Sequence, residues 1–328
     1  MDLSQALRPR RKFSDLKGIK VGVLGGGVSN EREISLVSAQ NVYDTLKRKS
    51  IDAVLIDIVI SSEEKVKKIL FSYNIDVAFI ALHGEFGEDG GIQKILEELG
   101  IFYTGSERLA SYRAMDKIIS KRIFTKAGIP TAPFFVCKDS KLLKNIKYPI
   151  AVKPYSAGSS LGVSIVWQER DLSQAIEGAL SLQDMVILED YIEGRELTVG
   201  ILEEKPLAVV EIIPKKGYFD FHAKYTEGEA EFVTSVNLEE GVYERVQEAA
   251  LAAHCALGCR HFSRVDIRLD KNNIPFCLEV NSIPGLTPHS LLPLSAKACG
   301  IDFDELILRM MTFALDDKKD EKKKAQKI

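Results

Sequence analysis

The alternation of apolar runs and helical stretches over the first 103 residues constrains this chain's fold more than any other feature. IKVGVL (19–24) ends in Gly25-Gly26-Gly27, a helical stretch runs from Glu31 to about Lys47, and DAVLIDI (52–58) and DVAFIAL (76–82) read as buried strands. Parallel neighbours need a crossover between them, so this order predicts a parallel sheet with helices on its faces. Asn30 is the expected N-cap of the first helix, and Glu33, three residues on, completes a capping box. Ligands of such sheets bind beyond the carboxyl ends of the strands. Gly25–Asn30 and His83–Asp89 both lie at such ends.

The pattern changes after Tyr103. A charged helix is expected around Met115–Lys126, followed by short β-rich pieces: PIAVKP (149–154), GVSIV (162–166) and MVILED (185–190). ELTVGIL (196–202) and PLAVVEII (206–213) read as adjacent strands joined by the turn Glu203-Glu204-Lys205. A helix over 241–257, the strands SRVDIRL and PFCLEV, a Pro/Gly loop and a last helix over 302–315 follow. A chain of 328 residues accommodates two or three domains. The expectation is an α+β/α/β assembly of a parallel N-terminal α/β domain (1–103), a β-rich central α+β domain (104–191) and a β-rich C-terminal α+β domain (192–328).

The formal net charge of -3 argues against a dedicated nucleic-acid binder. No apolar run approaches the roughly 20 residues that span a bilayer, and the basic N-terminal segment lacks the apolar block of a secretory signal. No membrane partner is therefore expected, and the expected location is cytoplasmic. The tail DDKKDEKKKAQKI reads as a frayed helix end or a disordered segment. Five scattered cysteines fit a reducing compartment better than a disulfide framework. His254, Cys255, Cys259 and His261 raise the question of zinc, but Gly258 should stop the helix before Cys259, and small apolar packing residues are the preferred reading.

The most informative stretch is SRVDIRLDKNNIPFCLEVNSIPGLTPHS, from Ser263 to Ser290. Alternation puts Arg264, Asp266 and Arg268 on one strand face, and Glu279 and Asn281 on one face of the next, opposite Phe276, Leu278 and Val280. A two-residue turn at Asn272-Asn273 would set Asp266 against Glu279 and Arg264 against Asn281. Two carboxylates paired across strands repel. A divalent cation removes that penalty, and the oxygen donors Asp266, Glu279 and Asn281 suit Mg²⁺ or Mn²⁺. The other reading is a solvated face of alternating charge.

Three further motifs leave more than one reading open. VKPYSAGSSLGVSIV (152–166) places Lys153 at a strand end before a loop of small residues, which suits a phosphate-cradling loop or a plain hairpin turn. VILEDYIEGRELTV (186–199) fits a purine slot with Glu196 for ribose hydroxyls, or an interdomain link. GGGVSNE (25–31) lacks the G-x-G-x-x-G spacing of a dinucleotide fingerprint but leaves a carboxylate site at a helix N-terminus. His83, at a strand end, is a candidate for function or for packing.

LHGEFGEDG, the MDK of 115–117, VKPYSAGSSLGVS, GRELTVGIL, FDFHAKY, RVDIRL and LEVNSIPGLTPHSLLP occur in this order. With these motifs the chain resembles the bacterial D-alanine–D-alanine ligases of the ATP-grasp superfamily, from about Lys20 to Met311. The resemblance implies an ATP-grasp fold that clamps ATP, two Mg²⁺ (or Mn²⁺) ions, two D-alanine molecules as substrates and a homodimer. By resemblance Lys117 and Lys153 hold ATP phosphates, Lys224 reaches the γ-phosphate, Glu189 and Ile192 frame the adenine, and Glu196 meets the ribose. Asp266, Glu279 and Asn281 would bind the metals. Glu31 would hold the first D-alanine's ammonium and link through Ser159 to Tyr225; His83 would lie in the substrate pocket. Ser290 and Leu291 would receive the second carboxylate, and Arg264 with the Gly285 N–H would form the oxyanion site. The segment 214–230 resembles a lid. Asp190 stands where some relatives have lysine, Phe221 where some have tyrosine, and His222 where some have glutamate. A ligase of the same superfamily with a different substrate is the nearest alternative.

Overall fold

A computed structural model describes residue 16 and residues 18–139, 146–215 and 228–325. Three sheets form the frame. The first is parallel, with β1 (Val21–Gly26), β2 (Ala53–Ile58), β3 (Val77–Ile80) and β4 (Phe102–Tyr103) in the order β2-β1-β3-β4. Helices α1 (Arg32–Arg48), α2 (Glu63–Tyr73) and α3 (Gly91–Glu98) connect its strands. Helix α1 lies close on β1 because Gly25 has no side chain: a Cβ there would stand 2.4 Å from the Ala39 Cβ.

Helices α4 (Arg108–Met115) and α5 (Lys117–Lys126) lead out of this sheet. The expected single helix over Met115–Lys126 is broken at Asp116, whose backbone is extended and whose carboxylate accepts the Ile119 N–H at 2.9 Å. That is an N-cap, and it aims Lys117 inward. The second sheet is antiparallel: β5 (Phe134–Cys137), β6 (Ile150–Pro154), β7 (Ser164–Val166) and β8 (Val186–Asp190), ordered β5-β8-β6-β7 and covered by α6 (Leu172–Leu180).

The third sheet is antiparallel, with β9 (Gly194–Leu202), β10 (Lys205–Pro214), β11 (Ala230–Val233), β12 (Phe262–Asp270) and β13 (Pro275–Asn281) in the order β11-β10-β9-β12-β13. Helix α7 (Val242–Leu257) buries Val246, Ala250 and Ala253 against it and stops at Gly258, whose φ of 79° is left-handed, as the sequence predicts. Helix α8 (Leu291–Ala298) packs on β9 and β10 of the third sheet, and α9 (Phe303–Ala325) returns to the first sheet, where Leu306, Met310 and Phe313 join one core with Val23, Val42 and Phe79. Burying each such side chain contributes ~1.5–3 kcal/mol, so the C-terminal helix is welded to the N-terminal sheet. That helix continues well past the expected end at residue 315, through Ala325.

Two local expectations fail. Asn30 does not cap α1: Glu31 is the N-cap residue and its side chain caps nothing, while the Ser29 hydroxyl accepts the Glu31 N–H at 3.2 Å and donates to the His83 carbonyl at 2.8 Å. The Glu31 carboxylate is thus left to reach across to another sheet. The β12–β13 turn also differs. Asn273 N–H bonds to the Asp270 carbonyl at 3.0 Å with Asn273 in a left-handed conformation, φ 60°, so the loop is Lys271–Asn273 and the register near the tip is one residue off. A bulge that skips Leu278 restores it, and Asp266 still faces Glu279.

Candidate active site

The β12–β13 hairpin brings the metal-candidate residues together. Arg264 lies opposite Asn281 and Asp266 opposite Glu279. The Arg264 fork donates to both Asp266 oxygens at 2.9 Å, Thr198 donates to Asp266 at 2.7 Å and the Asn281 amide donates to it at 3.2 Å. Glu279 takes Lys117 at 3.2 Å. Like charges opposite each other are therefore neutralised one at a time, by Arg264 and by Lys117. Among the described residues no three His, Cys, Asp or Glu side chains gather around a point. The donor set here is two carboxylates and an amide, all oxygen, which fits a hard divalent cation that keeps room for phosphate and water. His254, Cys255, Cys259 and His261 do not share a centre: His254 Nδ1 is 2.6 Å from Ser263 Oγ, Gly105 N–H donates to His261 Nδ1 at 3.2 Å, Cys259 is buried and Cys255 exposed.

The bulge revises the predicted faces. Cys277 and Val280 enter the core under α7, whereas Leu278 and Glu279 both face the cleft between the second and third sheets. Phe276, Leu278 and Val280 therefore do not share a face. Lys117, Lys153, Glu189, Ile192 and Glu196 line the same cleft, so it collects the expected nucleotide residues that lie within the described chain. Lys224 and Tyr225, like Phe221 and His222, lie outside the described residues, as does most of the segment 214–230.

One member of this cleft's framework escaped the sequence reading. Lys121 is 1% exposed and binds Glu189 at 2.8 Å, while Lys153 binds the other Glu189 oxygen. Lys121 also donates to Thr131 at 2.6 Å, and Thr131 donates to the Cys277 carbonyl at 2.8 Å. Burial alone would raise the Glu189 carboxyl, but the two lysines outweigh it and hold its pKa down at about 2. Burial pushes Lys121 below its ordinary value despite Glu189. For Lys153 the pull of Glu189 overcomes burial and raises it. Lys121 falls one helical turn after Lys117, a spacing that puts both on one face of α5; that spacing was the available signal.

The Lys153 loop folds back as a phosphate cradle would. Ser159 and Ser160 have φ of 52° and 57°, and Lys117 Nζ donates to the Ala157 carbonyl at 2.8 Å. Ser159 Oγ donates to Glu31 Oε1, bridging the second sheet to the start of α1. Their contact borders a wider cleft of about 780 Å³, also lined by His83, Glu88, Arg264 and Ser290. His83 is 4% exposed: Nδ1 donates to the Ile283 carbonyl at 3.0 Å, and Nε2 stands 2.9 Å from Ser38 Oγ, which itself accepts the Leu286 N–H. Burial holds the imidazole below its ordinary pKa. His83 thus fastens the strand end to the loop 283–286, a packing task within the wall of the wider cleft. Glu88, which sequence reasoning passed over, accepts the Gly84 N–H at 3.1 Å and is pushed well above the carboxylate range by burial and by Glu31. Ser290 Oγ accepts the Thr287 N–H at 3.1 Å, and a Cβ on Gly285 would lie 3.0 Å from it. Leu291 opens α8, whose free N–H groups favour a carboxylate.

Comparison with known proteins agrees with this geometry. The profile of the D-ala D-ala ligase C-terminus matches residues 123–312, and that of the N-terminus matches 60–106. The chain is 43% identical over 304 residues to a D-alanine--D-alanine ligase of Geotalea uraniireducens, covering 92% of this chain and 97% of the relative. It is 44% identical over 301 residues to one of Citrifermentans bemidjiense, covering 92% and 97%. Among solved structures it is similar to the D-alanine--D-alanine ligase of Bacillus anthracis complexed with ATP, with a TM-score of 0.80 and 33% identity over 93% of this chain and 100% of that one. The VanG D-Ala:D-Ser ligase of Enterococcus faecalis is similar at a TM-score of 0.78 and 29% identity, covering 91% and 100%. The three-sheet frame is the ATP-grasp fold, and the chain belongs to the D-alanine–D-alanine ligase family.

Proposed function

We propose that the chain joins two D-alanine molecules into D-alanyl-D-alanine, at the expense of ATP and through an acyl phosphate, for peptidoglycan precursor synthesis. One observation carries this reading: a single strand face presents Arg264 beside Asp266, with Glu279 and Lys117 adjacent, where the two clefts meet. A carboxylate and an amine do not condense in water, so the first D-alanine must be made electrophilic. Lys117 and Lys153 would neutralise the phosphates of ATP, with Lys224 nearest the γ-phosphate, while Glu189, Ile192 and Glu196 frame the base and sugar. Asp266, Glu279 and Asn281 would hold two Mg²⁺ or Mn²⁺ ions, which supply charge neutralisation for the transferring phosphoryl group.

Glu31 would hold the ammonium of the first D-alanine, and the Ser159 bridge, together with Tyr225 by resemblance, would close that site against water. Water would otherwise hydrolyse the acyl phosphate. Ser290 and Leu291 would receive the second D-alanine's carboxylate, with His83 fixing the wall behind. When the deprotonated amine attacks, the acyl oxygen gains negative charge, and the Arg264 fork with the Gly285 N–H would stabilise it. We further propose the partition 1–103, 104–191 and 192–328, a cytoplasmic location and a homodimer. No described helix is long and apolar enough to cross a membrane.

Phosphate release from ATP tests the reading: D-alanine should stimulate it and L-alanine should not. Equal stimulation, or none, rejects it. The likeness to a D-Ala:D-Ser ligase supports a second reading, with D-serine as the second substrate. Analysis of products from equimolar D-alanine, D-serine and D-lactate at neutral pH separates the two; the expected main product is D-alanyl-D-alanine.

A further inference from the structure

We infer that Arg268 is a positioning residue for the nucleotide sugar, clamping the link between the second and third sheets and setting Glu196 for the ribose hydroxyls. This rests on the nucleotide reading of the cleft proposed above.

Arg268 continues the strand face that carries Arg264 and Asp266, and lies directly across the ladder from Glu196. Its Nη1 donates to Glu196 Oε2 at 3.0 Å, and its Nε donates to the Ile192 carbonyl at 3.0 Å. Its Nη2 donates to the Gly194 carbonyl at 3.1 Å and to the Tyr191 hydroxyl at 3.2 Å. The guanidinium also stands over the Tyr191 ring at 5.2 Å, and that ring meets Trp167 of the second sheet's neighbourhood at 5.8 Å. Both ion-pair partners are largely buried, with side chains 11% and 15% exposed. A planar fork with donors in fixed directions is the side chain that can reach a carboxylate and two backbone carbonyls together; a lysine cannot.

This geometry has two consequences for a bound nucleotide. The residues Tyr191–Gly194 form the chain's passage from β8 to β9, and Ile192 lines the cleft. Arg268 fixes that passage to β12, so the cleft's purine-side wall and its metal-candidate face belong to one rigid piece. The second consequence is electrostatic. A bare carboxylate close to a polyphosphate would repel it, whereas Glu196 paired with Arg268 can accept hydrogen bonds from sugar hydroxyls without adding net charge.

Binding of ADP and of 2′,3′-dideoxy-ADP, both with Mg²⁺, is measured by calorimetry on the wild type, Arg268→Met and Arg268→Lys. The wild type should prefer ADP by about 10-fold or more, because hydrogen bonds to a charged group contribute ~1.5–3 kcal/mol. Arg268→Met should weaken ADP by about 10-fold and shrink the preference to about 2-fold or less. Arg268→Lys keeps the charge without the fork and should weaken ADP by at least about 3-fold. If Arg268→Met weakened both nucleotides equally, the residue would be merely structural and the inference overturned. Wild-type ADP affinity in Arg268→Lys would also overturn it, as would a wild type that binds both nucleotides alike. A wild type that binds neither nucleotide would instead overturn the nucleotide reading itself.

Discussion

A largely buried carboxylate needs partners, and three residues supply them for Asp266. The Arg264 fork, the Thr198 hydroxyl and the Asn281 amide donate to its oxygens. Arg264 is also the proposed oxyanion donor, so Arg264→Ala should lower kcat about 100-fold or more while ADP affinity changes less than about 3-fold. Steady-state kinetics and calorimetry measure the two; undiminished turnover removes Arg264 from the oxyanion role. Lys121 is a different case, buried and paired with Glu189. Lys121→Met should destabilise the protein by ~3–5 kcal/mol in urea unfolding, because it leaves the buried Glu189 with Lys153 alone. The Glu189 pKa is depressed to about 2 from an ordinary 4.5, so its contribution to stability is complete above about pH 4.5 and disappears as pH falls toward 2. Melting temperatures recorded across that window should fall steeply in the wild type and less steeply in Lys121→Met, whose Glu189 pKa lies closer to the unfolded value.

At the level of elements, the long patterned segments were readable and the short or interrupted ones were not. β1, β2, β6, β8, β9, β10 and β12 fall within two residues of the predicted runs, because each is a near-continuous apolar or alternating stretch. Strands β4, β5 and β11 have too few residues to show a period, and α8 begins directly after a Pro/Gly loop that masks its start. The paired carboxylates were legible because alternation puts Asp266 on a cleft-side face and the expected turn sets Glu279 against it, a pairing that the shifted turn and the bulge together preserve. Lys121 and Glu88 were not, since each is defined by a partner distant in sequence or by burial. The bulge at Leu278 was invisible for another reason: the turn before it is one residue out of the expected frame, and the two irregularities cancel at Asp266–Glu279. Its result is an extra apolar side chain facing the cleft beside Glu279. Leu278→Ala removes part of that wall and should raise KM for ATP about 10-fold, since losing buried methyl groups costs ~1–2 kcal/mol. The KM for D-alanine should stay unchanged, and a kinetic series in each substrate distinguishes the two.

For the whole molecule, the question is how parts that pack separately enclose one reaction. Helix α9 ties the C-terminal end of the chain to the first sheet through a common core. The second sheet meets the first at a narrower contact, where Ser159 donates to Glu31 and the Gly158 backbone lies against the same carboxylate. A Cβ on Gly158 would stand 2.5 Å from Glu31 Oε2, closer than packed atoms tolerate. Gly158→Ala must therefore turn Glu31 away or hold the second sheet slightly open. Gly158 lies in the loop after β6 whose Ala157 and Ser160 line the proposed nucleotide cleft, so ADP affinity should fall too, but by less than the effect on D-alanine. The substrate side should suffer twice. KM for D-alanine should rise about 10-fold or more as the Glu31 carboxylate is displaced, and water admitted through the gap should compete with the amine for the acyl phosphate. The second effect has its own signature: phosphate released per dipeptide formed should climb from near one to well above it. Counting both products in one reaction measures that ratio. A ratio that stayed near one, with KM for D-alanine unchanged, would mean that the Glu31–Ser159 contact does not seal the site.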